Sequence, residues 1–179
     1  MKFDEVVDRA QRILPMAWQR TRRGAPITIA VLQSKKHAYT EQEFREAGQR
    51  GGGFPFDGVA SKMHFVAKKG LFTMFKAGPH LINLFYSGLP FADNPAENDS
   101  WLPQEVQRKA WREHVAVVGF DYLNEGERVD VAYAVLAKLL AELLGNECAA
   151  IYIQRENALL PNLPTMRGQL RELAQKYRE

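Results

Sequence analysis

Between Met63 and Tyr86, three short runs rich in β-forming residues follow one another: 63–67, 71–76 and 81–86. Little lies between them except Lys68-Lys69-Gly70 and Ala77-Gly78-Pro79-His80. Connections this short can join only antiparallel neighbours, because a parallel crossover takes a dozen residues or more. Glycine and proline supply the turn chemistry at both joints. The stretch therefore reads as an antiparallel meander, and it commits the chain to a sheet.

The rest of the pattern supplies further strands and the helices that cover the sheet. Ile27 to Leu32 is a compact β-rich run that reads as a central strand. Thr40-Glu41-Gln42-Glu43 fits a capping box, in which the threonine hydroxyl and the Glu43 carboxylate satisfy two backbone amides. A helix follows to about Arg50, and Gly51-Gly52-Gly53 is expected to end it. Residues 87–102 carry Gly88, Pro90, Pro95 and a cluster of Asn, Asp and Ser, the composition of a long surface loop. Pro103 opens a helix bearing Val106, Ala110 and Trp111. His114 to Phe120 reads as a strand, Arg128 to Leu144 as a long apolar helix capped by Gly145-Asn146, Cys148 to Gln154 as a strand, and Thr165 to Arg178 as a final amphipathic helix. Apolar residues from Phe3 to Ala17 predict an N-terminal helix within segment 1–24, broken near Pro15.

The fold class that follows is α+β: a mixed or antiparallel sheet with helices packed on one side. Strand, helix, strand occurs twice, from Ile27 and from His114, which leads us to expect two ferredoxin-like halves. With 179 residues, the chain reads as a single domain, 1–179, large enough for a core without disulfides. Its one cysteine, Cys148, cannot form an internal disulfide and reads as an apolar filler in a reducing compartment. Asp4, Glu5 and Asp8 sit where a signal peptide needs a cationic start. Asp130, Lys138 and Glu142 interrupt the most apolar stretch, so no membrane partner is expected and the cytoplasm is the expected location.

Several short motifs together resemble the bacterial domain-of-unknown-function family numbered 4261. They are Ser87-Gly88-Leu89-Pro90-Phe91 after an apolar strand, Ala110-Trp111 followed by His114-Val115-Ala116-Val117, the long alanine- and leucine-rich helix, and Ala149-Ala150-Ile151-Tyr152 before Leu160-Pro161. The resemblance covers roughly Ile27 to Leu173. It implies a small bacterial α+β protein and carries over no catalytic residues.

Signatures of chemistry are weak by comparison. The three glycines at 51–53 follow a predicted helix and no Gly-Lys-Ser/Thr comes after them, which argues against a phosphate cradle. No Gly-x-Ser-x-Gly elbow is present, and Cys148 lacks electropositive neighbours. Glu125 and Glu127 sit before the long helix, where they favour its N-terminus. The histidines have no metal-ligand spacing, so neither a metal nor a cofactor is expected. An enzyme site could still assemble in the fold around His64, His114, Glu113 and Asp121, provided they converge.

Binding is the better-supported reading. Net charge is +3, yet residues 1–80 hold 14 Lys/Arg against 7 Asp/Glu, whereas residues 81–179 hold 10 against 14. Lys68, Lys69, Phe72, Phe75 and Lys76 interleave cations and rings, as single-strand-binding sheets do, but strand alternation lets only some of the rings face out together. Phe91 and Trp101 rim the long loop, and Trp111 stands beside it, better placed for the core than for an anchor. The expectation is a non-enzymatic protein-binding or regulatory module whose partner is another protein. Nucleic acid is the weaker partner, and a homodimer is compatible with the sequence.

Overall fold

A computed structural model describes residues 27–54, 56, 63–124 and 129–176. The N-terminal helix and the pair Glu125 and Glu127 lie outside the described residues. Seven strands form one sheet: β1 (Ile27–Gln33), β2 (His64–Lys69), β3 (Phe72–Ala77), β4 (His80–Ser87), β5 (Ala116–Tyr122), β6 (Cys148–Ile153) and β7 (Ala158–Pro161). Their order is β2-β3-β4-β5-β1-β6-β7, and every pairing is antiparallel. Four helices are described: α1 (Glu41–Gly52), α2 (Glu105–Glu113), α3 (Val129–Leu143) and α4 (Met166–Lys176). The chain is thus an α+β protein, as the strand and helix patterns imply.

The meander forms as its turns dictate. Gly70 and Gly78 both take the left-handed conformation, with φ of 61° and 59°, in the joints between β2, β3 and β4. β1 is buried along its whole length because it is covered on both faces. Ile27, Ile29 and Val31 enter a large core with α1, α3 and α4, while Ala30 and Leu32 enter a second core with Trp111 and Leu102. Helices therefore pack on both sides of the sheet, not on one. α2 and the segment before it cover the second face because Leu102 and Trp111 each bury an apolar side chain there.

The two strand-helix-strand units do not form separate halves. β1 and β2 lie four positions apart in the sheet, and β5 and β6 flank β1. Ferredoxin-like halves would each close on their own strands; here the second unit closes around a strand of the first. β7 is an additional strand. It ends at Pro161, and proline is tolerated on an edge strand, where one side needs no ladder bond.

Helix ends show how local chemistry is realised. The capping box at α1 forms: the Glu43 amide donates to the Thr40 hydroxyl at 3.2 Å, and the Thr40 amide donates to the Glu43 carboxylate at 2.7 Å. Gly51 and Gly52 belong to α1, and Gly53 is its left-handed cap. A Cβ at Gly51 would stand 2.6 Å from the Lys138 carbonyl oxygen, so its absence lets α1 lie against α3. The end of α3 departs from expectation, because neither Gly145 nor Asn146 has positive φ. Side chains close it: the Gly145 amide donates to Glu147 at 3.0 Å, and Arg167 donates to the Leu144 carbonyl at 2.6 Å.

Candidate functional site

The four acid–base candidates do not converge. His64 opens β2 at one end of the sheet, where its Nδ1 accepts from the Gly78 amide at 3.2 Å between Phe54 and Phe56. His114 precedes β5 at the opposite end. Its Nδ1–H donates to the Trp111 carbonyl at 2.5 Å, and its Nε2 accepts from the Phe91 amide at 2.7 Å. Both nitrogens are committed, so the imidazole has no site left for proton transfer to a substrate. Burial depresses its pKa, outweighing the bond to Trp111, which raises it. Asp121 lies seven residues further along, about 23 Å for extended chain. It is fully buried and accepts from the Thr28 hydroxyl at 2.9 Å. Glu113 is exposed at the end of α2. The acid–base site built on these residues is therefore corrected: one histidine is a structural latch and the others stand apart.

The aromatic residues around the long loop are also committed. Trp111 is 2% exposed and meets Phe91 at 5.9 Å, Trp101 at 5.5 Å and Tyr152 at 6.3 Å between ring centroids. Trp101 is half-buried and donates from its indole nitrogen to the Asn98 carbonyl at 2.9 Å. Arg112 pairs with Asp99 at 2.5 Å, and Arg108 donates to the Leu102 carbonyl at 2.6 Å. Phe91, Trp101 and Trp111 thus fasten the loop to the second face of the sheet, and a projecting anchor made of them is corrected accordingly. Trp111 takes the core role that its repeat with Ala110 implies.

Lys68 and Lys69 lead to a different place. They close β2 at the tip of its hairpin with β3. The Lys68 ammonium donates to the Tyr39 carbonyl at 2.9 Å, and its backbone amide donates to Glu41 at 3.0 Å. Strand register carries other exposed groups to the same end of the sheet. Gln33 ends β1 opposite Ala116, Ser87 ends β4 opposite Val117, and Phe72 starts β3 opposite Phe85. Leu71, Phe72, Leu89 and Val115 consequently emerge together, with exposures of 54%, 38%, 64% and 38%. Leu163 (after β7) emerges at that end too. Exposed Lys35 and Lys36 follow Gln33 after Ser34. Phe75, by contrast, is 2% exposed in the larger core, so it adds no ring to a nucleic-acid platform with Phe72.

A cavity of about 40 Å³ opens beside the hairpin tip, lined by Tyr39, Phe44, Lys68, Leu71, Thr73 and Tyr86, among others. The loop that walls it is held by groups the sequence did not single out. The Gln33 side chain takes the His37 amide at 3.2 Å and donates to its carbonyl at 2.9 Å. His37 Nε2 stands 2.8 Å from Glu43, and the Tyr39 hydroxyl donates to Glu147 at 2.5 Å. Burial pushes the Tyr39 pKa up, aided by the Glu147 carboxylate. At Glu43, burial pushes the carboxyl upward, but bonds from Thr40 and His37 outweigh it and hold it below its usual range. Only the capping-box spacing of Thr40 and Glu43 was visible beforehand; Tyr39 and Glu147 are 108 residues apart.

The sheet edges offer little to an added strand. Glu41 takes the Lys68 amide, and Arg45 reaches the Val66 carbonyl at 3.5 Å. On the other edge, Gln107 donates to the Leu159 carbonyl at 2.9 Å. Side chains that cap edge groups in this way blunt edge-to-edge pairing. Cys148 is buried, and desolvation pushes its thiol up to about 12, so it is a poor nucleophile. Among the described residues, no three His, Cys, Asp or Glu side chains come together to hold a metal, and no helix is long and apolar enough to cross a membrane. No protein-family model, curated protein or solved structure matches the chain.

Proposed function

We propose that this chain is a non-enzymatic binding module for another protein, and that the end of the sheet around Leu71 and Leu89 is the contact surface. The observation that carries the reading is the gathering of Leu71, Phe72, Leu89 and Val115 at one end, beside exposed Lys35, Lys36, Lys68 and Lys69. Contiguous exposed apolar side chains rimmed by polar ones are a usual mark of an interaction site. The occupied nitrogens of His114 and the dispersed positions of His64, Glu113 and Asp121 favour binding over catalysis. The same proposal puts the protein in a reducing cytoplasm, which suits a buried unpaired Cys148. It also includes bacterial origin and kinship with the 4261 family, through the motifs from Ser87 to Phe91 and from Ala110 to Val117.

The test is capture from lysate of the protein's own host, with nuclease present, comparing wild type with a Leu71→Asp/Leu89→Asp variant. Both positions are exposed, so the variant is expected to fold, and a circular-dichroism melt checks this. A stoichiometric protein held by wild type and lost by the folded variant supports the reading. Capture that is indifferent to the two substitutions, or that vanishes with nuclease, refutes it.

A further inference from the structure

We infer that the sheet end accepts an acidic segment of its partner, with one aliphatic side chain seated in the cavity beside Tyr39 and flanking carboxylates on the lysines. This rests on the protein-binding reading above and deepens it by naming the chemistry of the partner.

Charge is the first support. Among the described residues, no carboxylate lies within ion-pair distance of Lys35, Lys36 or Lys69, and all three are exposed. Neighbouring acids are already engaged: Glu41 with Arg45 and the Lys68 amide, Glu43 with His37 and Thr40, Glu147 with Tyr39 and the Gly145 amide. Glu113 and Asp93 are further exposed acids near this end. Among the described residues, the surface therefore presents exposed cations with which an acidic partner can pair. Lys36 is only three residues from Tyr39, so its Cα is at most about 11 Å from that of Tyr39. The lysine pairs at 35–36 and 68–69 can thus flank one bound segment.

Shape is the second support. A cavity of about 40 Å³ is several times the roughly 10–15 Å³ that a single water requires, and suits a few heavy atoms such as an isopropyl or isobutyl group. Its wall is apolar at Phe44, Leu71, Leu84 and Val118, with hydroxyls only at Tyr39, Thr73 and Tyr86. The Tyr39 hydroxyl is already spent on Glu147. A nucleobase is too large for this space. A lipid surface fits poorly too, because Leu71 lines the cavity on the α1 side whereas Phe72 packs on Phe85 on the opposite side. The exposed apolar groups thus straddle the sheet end instead of forming one flat face. A protein segment follows such relief, placing one side chain in the cavity and others along the rim.

The experiment is fluorescence anisotropy with a short fluorescein-labelled peptide of glutamate and aspartate around a single leucine. Parallel titrations use the same peptide with glycine for leucine, a version with lysine for every acid, phosphatidylglycerol vesicles, and a single-stranded oligothymidine. Saturable binding of the first probe is expected, weakening steeply with added salt. Lys36→Glu/Lys69→Glu and, separately, Leu71→Asp are each expected to weaken it by about tenfold or more, with unchanged melting curves. No binding, equal binding of the glycine or lysine versions, or tighter binding of vesicles or oligothymidine overturns the inference. The two readings fail separately. If a host protein is lost by Leu71→Asp/Leu89→Asp yet the acidic peptide does not bind, the acidic-segment inference falls while the binding module stands. If host capture ignores those substitutions, both fall.

Discussion

Replacing His114 tests whether the segment from Ser87 to Leu102 is latched to the sheet as the geometry indicates. In the wild type, the imidazole accepts from the Phe91 amide and donates to the Trp111 carbonyl. His114→Ala leaves both groups without that partner next to a buried aromatic cluster. An orphaned buried polar group costs about 1–3 kcal/mol, so a total of about 2–4 kcal/mol is expected, allowing for partial rehydration. At about 2–4 °C per kcal/mol for a domain of this size, the melting temperature should fall by about 4–16 °C. A pH series then separates the latch from a plain packing loss. The folded pKa of His114 is depressed by burial from its ordinary 6.5. The neutral ring therefore contributes its full stabilisation above that value. Stability is lost as pH falls below 6.5 toward the folded pKa, at up to about 1.4 kcal/mol per pH unit from this one group. His114→Gln keeps a donor and an acceptor but does not titrate. The advantage of wild type over His114→Gln should accordingly shrink as pH is lowered from 8 to 5, read by circular-dichroism melts. Parallel curves across that range would refute the assignment of His114 as a buried neutral latch.

Trp111→Ala should cost about 3–5 kcal/mol, because it empties the centre of the aromatic cluster with Phe91, Trp101 and Tyr152; a melting temperature within a degree or two of wild type would contradict that packing. Gly51→Ala should destabilise by about 1–3 kcal/mol, since its methyl meets the Lys138 carbonyl oxygen, whereas Gly168→Ala, with open space around it, should be neutral or slightly stabilising; chemical denaturation of the pair reads the contrast. Cys148 should react with a thiol reagent at neutral pH only as fast as the protein opens, and rapid labelling under native conditions would count against its burial. Glu41→Ala/Arg45→Ala should uncover the Val66 carbonyl and the Lys68 amide on β2 and promote self-association, which sedimentation can detect.

Sequence alone determined the local elements of this protein. Runs of β-forming residues and turn chemistry marked β1 to β4, because β-propensity and a two-residue joint are properties of adjacent residues. The capping box of Thr40 and Glu43 was legible for the same reason. The apolar run around Ala132–Leu144 announced a helix, and its nearly complete burial follows from the sheet beneath it and α1 and α4 beside it. Tertiary structure decided the rest. Strand order depended on long-range pairing of β1 with β5 and β6, which no local signal specifies, so the expected halves gave way to one interleaved sheet. The roles of His114, Phe91 and Trp101 were settled by which groups face them across the second face. Above all, the proposed contact surface draws on residues from 35 to 115 that share no motif; register alone brings the ends of their strands together. Exposure is a property of what packs nearby, and for Leu71 and Leu89 only the folded chain reveals it.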